Sequence, residues 1–173
     1  MKKILIIIAI IIILLSNKKI ETVIIPKEAI RFRVIANSNS EEDQKLKKEV
    51  TNNIYKEFSK VKYKANNISD AKKILTLQLP IVESIVTETL EKNKLEKKYN
   101  INYGLNYFPE KEYKGIIYPE GEYESLVVTL GDGSGENFWC VLFPPLCLLE
   151  TEKTDTTDVE YTSFIKEVLE KYF

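Results

Sequence analysis

Gly131 to Cys147 reads GDGSGENFWCVLFPPLC, and it holds three of the chain's 6 glycines, its single tryptophan, both cysteines and a Pro-Pro pair. The glycines at 131, 133 and 135 admit positive backbone angles in a tight turn, and Asp132, Ser134 and Glu136 between them keep that turn in water. Asn137 to Phe143 is then apolar without alternation, the pattern of a central strand covered on both faces. Pro144 and Pro145 end it, because proline donates nothing to a ladder and holds the preceding residue extended. A strand entered from a glycine turn and closed by two prolines makes a sheet the centre of the fold.

Around that sheet, composition sets limits. With 173 residues, 44% hydrophobic and 29% charged, the chain suits one globular domain. The 25 basic and 26 acidic residues leave a net charge of −1, and no local basic patch stands out to attract nucleic acid. Histidine is absent. That removes Ser-His-Asp and Cys-His nucleophilic arrangements, His general acid-base chemistry and His-ligated metal sites.

At the N-terminus Lys2 and Lys3 precede the apolar run Ile4 to Leu15, a secretory n-region and h-region short of the ~20 residues a spanning helix needs. Export follows. Ser16, with Leu14 two positions before it, is a partial cleavage match, so residues 1–25 are a signal peptide or an uncleaved membrane anchor with its spacer. Residues 26–173 are then one exported domain. Ile30, Phe32, Val34 and Ala36 alternate with Arg31, Arg33 and Ile35 as in a strand, which places both arginines on one solvated face. Ser38 with Glu41, or Ser40 with Asp43, forms a capping box that opens a helix to about Ser59, with Leu46, Val50, Ile54 and Phe58 as its inner stripe. A second helix, capped at Ser69-Asp70, is expected to break near Gln78, with a third starting at Pro80. From Tyr99 the period changes to two, with Ile101, Tyr103, Leu105 and Tyr107 on one face. Tyr113 to Tyr118 and Tyr123 to Leu130 are further strands, and Val159 to Phe173 is an amphipathic helix. The expected fold is α+β, a mostly antiparallel sheet of four to five strands covered by about four helices.

The candidate sites are few. Cys140 and Cys147 leave the cytosol together, so they close a disulfide loop over the Pro-Pro turn; the alternative is a buried, reduced Cys140. Neither has a histidine base, and two cysteines are too few ligands for structural zinc. The glycine turn lacks a P-loop lysine and leads into a strand, so it does not cradle phosphate. No catalytic, cofactor or metal residue is assigned, although the many carboxylates keep an extracytoplasmic carboxylate-based hydrolase with a glycosidase-like pair as the alternative, beside another cell-envelope binding domain.

Three segments carry a resemblance: IRFRVIANSNSEEDQKLKKEV (30–50), YFPEKEYKGIIYPEGEYESLVVTLGDGSGENFWCVLFPPLC (107–147) and the lysine-led apolar run. Together they resemble the stage II sporulation protein R family, with Phe138 standing where that family usually has tryptophan. The resemblance implies a non-enzymatic signal secreted from the forespore into the space between two membranes. Its partner would be a membrane-embedded aspartic protease that processes the precursor of the early mother-cell sigma factor, and the signal would touch the membrane only through its N-terminal segment. Two stretches match the family closely enough to face that partner. One is Ser134, Trp139, Pro144, Pro145 and Leu146, where Leu146→Asp would spare the fold; the other is Asn37, Ser38, Asp43 and Gln44, which also serve as a helix start.

Overall fold

The structure is a computed structural model that describes residues 23–60, 65–95, 98–146 and 158–173. Two β-sheets and three helices make up the described residues: β1 Val23–Ile24, β2 Ile30–Ile35, α1 Glu41–Lys60, α2 Ile68–Lys92, β3 Tyr99–Phe108, β4 Lys111–Tyr113, β5 Ile116–Tyr118, β6 Gly121–Leu130, β7 Asn137–Phe143 and α3 Asp158–Tyr172. The larger sheet has the order β3-β6-β2-β7 and the smaller one β1-β5-β4.

The fold class is α+β, but both sheets are mixed. In the larger one β6 runs antiparallel to β3 and parallel to β2, with Phe32 opposite Leu126, while β7 returns antiparallel with Cys140 opposite Phe32. In the smaller one β1 and β5 are parallel. The expected mostly antiparallel sheet fails at β2, because β6 inserts between β3 and the first strand of the sheet, an adjacency that strand alternation does not encode. Nor is β7 central among the described strands: it stands last in the order of its sheet. Its apolar run reflects cover on both faces, and only Val141, Leu142 and Phe143 are fully buried.

One face of the large sheet presents Ile30, Phe32, Val34, Leu126, Val128 and Leu130 to Leu46, Val50, Ile54 and Phe58 of α1 and Leu75, Val82 and Val86 of α2. Each such side chain, fully buried, contributes about 1.5–3 kcal/mol. Asn67 caps α2, its Oδ1 accepting from the Asp70 amide at 3.0 Å, so the cap lies two residues before Ser69. The helix runs unbroken through Pro80, which corrects the expected break. Pro80 is exposed. A proline inside a helix costs about 3 kcal/mol, and the buried residues on both sides of it, Ala71, Leu75, Val82, Val86 and Leu90, offset that. The far end of α2 is tied to α1 by Glu49, whose carboxylate accepts from Lys92 Nζ at 2.8 Å and Asn93 Nδ2 at 3.0 Å. These bonds, Lys92 first, hold the Glu49 carboxyl below its usual 4.5. A depressed carboxyl stabilises the fold above its unfolded value and loses that contribution as pH falls through its folded value. Urea midpoints measured at neutral and acid pH are therefore expected to fall further in the native protein than in Glu49→Gln.

The other face carries a second core: Val141 of β7 packs with Val23, Ile25, Ala29, Ile116, Leu146, Tyr161, Ile165, Val168 and Leu169. The segment read as a spacer thus supplies β1, and the C-terminal helix closes this layer. In β3 the expected stripe holds for Ile101 and Tyr103, but Leu105 is 71% exposed and Tyr107 57%. Phe108, on the opposite face, is 2% exposed. The strand outruns the helical layer and is buried from its other side, which a single alternation cannot show. The N-terminal run Ile4 to Leu15 lies outside the described residues, and among these no helix is long and apolar enough to cross a membrane.

Candidate functional site: an interlocked turn and an arginine-aromatic cleft

The helix start and the glycine turn are one unit. Asn37 Oδ1 accepts from the Asp132 amide at 3.0 Å, Asn37 O from the Ser134 amide at 3.1 Å, and Asn39 Oδ1 from the Glu136 amide at 2.7 Å. Asp43 sits beneath, 4% exposed, accepting from Asn37 Nδ2 at 2.8 Å and Ser38 Oγ at 2.7 Å. Ser40 Oγ completes the helix cap by accepting from the Asp43 amide at 3.2 Å. Gln44 Nε2 donates to Ser38 O at 2.9 Å, and Lys47 Nζ donates to Glu136 O at 2.9 Å. Burial pushes the Lys47 ammonium down from its usual value, against the opposing pull of Glu136.

The glycines serve this contact in two ways. Gly131 and Gly133 have φ of +57° and +65°. Gly135 is needed for proximity, since a Cβ there would lie 2.3 Å from Ser38 O. Asn37, Ser38, Asp43 and Gln44 are accordingly engaged with one another and with the turn, while Ser134 keeps its side chain exposed.

The second feature lies on the face of the large sheet away from α1 and α2. Tyr123, Phe108 and Trp139 form an edge-to-face row, with ring centroids 6.1 Å and 5.3 Å apart. Arg31 lies 3.5 Å above the Tyr123 ring and 5.4 Å from Phe108, and Arg33 stands 5.1 Å from Phe108 and 5.2 Å from Trp139. Cation-π attraction of this kind is worth about 0.5–2 kcal/mol per contact. Arg31, 3% exposed, is therefore not solvated as the alternation implied, whereas Arg33 is half-buried. Its Nη2 donates to Pro119 O at 3.0 Å, but its Nε, like that of Arg33, is buried without a partner. Burial lowers the Arg31 guanidinium from its usual value, with Tyr123 and Tyr118 acting the other way. Neither arginine has an ion pair among the described residues. Beside them opens a cleft of about 390 Å³, lined by Arg31, Phe108, Lys111, Trp139 and the strand around it.

Of the partner-facing residues expected from sequence, the structure places Trp139 and Leu146 along this cleft. Pro144, Pro145 and Leu146 are buried. Leu146 is 1% exposed within the second core, so the surface role expected for it is corrected: the chain turns inward after β7 rather than presenting its prolines. Among the described residues no cysteine is a free thiol, and Cys147 lies outside them. Sequence reasoning missed Arg31, Arg33, Phe108 and Tyr123 as a group. Their one signal was two arginines in an otherwise apolar strand of an aromatic-rich chain.

The chain is thus a mixed α+β domain with a rigid interlocked turn at one end of its sheet and an arginine-floored aromatic cleft at its edge. Residues 26–153 match the family Stage II sporulation protein R (spore_II_R), and the chain belongs to that family. A similar protein is the stage II sporulation protein R of Bacillus subtilis (strain 168), 40% identical over 130 residues, which is 75% of this chain. That stretch spans 58% of the relative's length. No solved structure matches the chain.

Proposed function

We propose that this chain is a secreted sporulation signal that binds a membrane-embedded aspartic protease and switches on its processing of the early mother-cell sigma-factor precursor. The observation that carries the reading is family membership across residues 26–153. Two features support a binding role. The lysine-led run Ile4 to Leu15 supports export, either released or held on the outer side of the membrane, and in a sporulating cell this means the intermembrane space of the forespore. The rigidly stacked Trp139 face supports recognition, because an aromatic already fixed by its neighbours loses little entropy when covered. The chain acts by contact rather than by turnover.

Co-expression of the chain, the protease and the sigma-factor precursor in a host that does not sporulate tests this. Precursor cleavage is expected only when the chain is present, and Trp139→Ala and Ser134→Arg are expected to reduce it at least about tenfold while circular dichroism stays native. Cleavage without the chain, or no cleavage with it, would overturn the activation role; cleavage unaffected by either variant would move the contact off this face.

The exported form is also proposed to carry a Cys140-Cys147 disulfide, supported by the presence of 2 cysteines in the whole chain and the oxidising compartment. Mass spectrometry of non-reduced peptides from exported protein is expected to show the two linked; free thiols at both would refute the bond.

A further inference from the structure

β3 stands first in the order of its sheet and has β6 as its one partner there among the described residues. The outer side of such a strand offers main-chain groups to another chain, and sheet edges are commonly blunted by short length, a lysine, a proline or a bulge. β3 has none of these. It is 10 residues long, its sequence YNINYGLNYF carries neither charge nor proline, and its register with β6 is unbroken from Tyr99 to Phe108.

Which groups face outward follows from one bond. Gly131 N donates to Lys98 O at 2.6 Å, so Lys98 and Gly131 form a hydrogen-bonded pair. In an antiparallel ladder bonded and non-bonded pairs alternate. The even-numbered residues of β3 therefore bond to β6, and the odd-numbered ones turn their N–H and C=O away from it. Of these, Tyr99 and Tyr103 are engaged through their hydroxyls, with Thr87 and Glu124, each at 2.7 Å. Leu105 and Tyr107 lie past the helical layer, 71% and 57% exposed, and their main chain forms no outward bond among the described residues.

A second copy of this chain fits that stretch. A two-fold axis through Asn106 sets Leu105 opposite Tyr107 of the other copy and Tyr107 opposite its Leu105, each pair exchanging both of its N–H···O bonds. The same axis makes two aliphatic-aromatic cross-strand pairs, a favoured combination. Gly104 to Phe108 is uncharged, so no like charges are brought face to face. Pro109, with no N–H to give, ends the overlap short of Tyr103.

We propose that this chain forms a two-fold dimer through β3, by antiparallel pairing of Gly104 to Phe108 with the same residues of a second copy. The overlap buries much less than the about 1,200–2,000 Å² of a standard stable interface, so the dimer is weak and forms where the chain is concentrated. The two large sheets then run on as one, and β7, last in the order of its sheet among the described strands, lies away from the junction in each copy. A dimer of this form carries the proposed partner-facing Trp139 twice, which raises its avidity for clustered partners. Self-association is measured without the protease, so its outcome is separate from that of protease activation.

Sedimentation of the full chain, kept in mild detergent for its N-terminal apolar run, is expected to show monomer at about micromolar protein and a dimer at about millimolar. Leu105→Pro deletes an outward N–H while leaving the bonds to β6 in place, which an edge strand tolerates, and is expected to leave no dimer. If that variant loses its native circular dichroism, Leu105→Lys, at a position already exposed, is expected to weaken dimerisation at least about fivefold. Association driven by the N-terminal run would be untouched by either. Asn106→Cys puts two thiols at the axis, where facing Cα atoms lie about 4.5 Å apart, within the about 4.4–6.8 Å of a disulfide, and is expected to cross-link on mild oxidation. Asn102→Cys, off the axis, is expected not to. Monomer at millimolar protein would overturn the proposal, as would a dimer undiminished in both Leu105 variants. Cross-linking of Asn102→Cys in preference to Asn106→Cys would exclude the two-fold pairing through Asn106.

Discussion

Leu146→Asp is expected to abolish folding of the domain rather than to disturb a surface. Leu146 is 1% exposed and packs in the second core with Val141, Tyr161 and Ile165. Removing a buried leucine side chain costs about 2–5 kcal/mol through lost transfer energy and the cavity left behind. An unpaired carboxylate in the same place costs several kcal/mol more, or must take up a proton to avoid it. Set against a typical domain stability of about 5–15 kcal/mol, the two together leave little or none. The expected result is loss of native circular dichroism and of a cooperative urea transition, with Leu146→Met, close in volume, within about 1.5 kcal/mol of the native protein. A native-like urea midpoint for the aspartate variant would mean that Leu146 is not core. Loss of signalling in that variant therefore reports the fold and says nothing of a partner.

Gly135→Ala is expected to be nearly as damaging, for a reason of space rather than backbone angle. An added methyl would stand 2.3 Å from Ser38 O, 2.6 Å from Ser38 C and 2.9 Å from the Ala36 Cβ. Two of these are backbone atoms that no rotamer change can move. Relief requires the turn to withdraw, and withdrawal stretches Gly135 N to Ala36 O at 2.9 Å, Ser134 N to Asn37 O at 3.1 Å and Glu136 N to Asn39 Oδ1 at 2.7 Å. Overpacking of this kind costs about 1–3 kcal/mol, and each weakened hydrogen bond about 0.5–1.5 kcal/mol. A loss of about 3 kcal/mol, seen as a melting temperature lower by about 10 °C, is the expected outcome. Gly104→Ala is the matched control, since its nearest neighbour would be Asn102 Oδ1 at an ordinary 3.7 Å. If the two variants melt together, Gly135 is not held against Ser38.

Much of this architecture was legible because local chemistry is strong in the places that matter. The helix start at Ser38 or Ser40, the stripe Leu46 to Phe58 and the two strands Ile30–Ile35 and Asn137–Phe143, though not their pairing, each follow from local pattern. What failed was decided by neighbours distant in sequence. Pro80 announces a break, yet the burial of Leu75 on one side and Val82 on the other outweighs its local penalty. Arg31 and Arg33 alternate as solvated residues do; only the approach of β3 and β6, which bring Phe108 and Tyr123 over them, makes that face a cleft. Pro144 and Pro145 signal a chain leaving the sheet but not the side toward which it leaves. The glycine turn and the Asn37 to Gln44 segment were each recognised, but not that they bind one another, because sequence carries no sign of a contact between residues 95 positions apart.

That separation has a consequence for when the proposed partner-facing surface comes into existence. The contact between Asn37 and Asp132 joins the end of the first strand of the large sheet to the turn that opens its last, so it closes only after the intervening helices and strands have been laid down. Contacts of such range are entropically the most expensive to form and come late in assembly. Until then Asn37 and Asn39 have no turn to hold, and Ser134 has no fixed position. A truncated, stalled or partly cleaved chain would therefore display neither the ordered turn nor the edge of β7 in its final setting. On the proposed reading, this end of the sheet would be legible to a partner only once the chain through residue 136 has been made and folded.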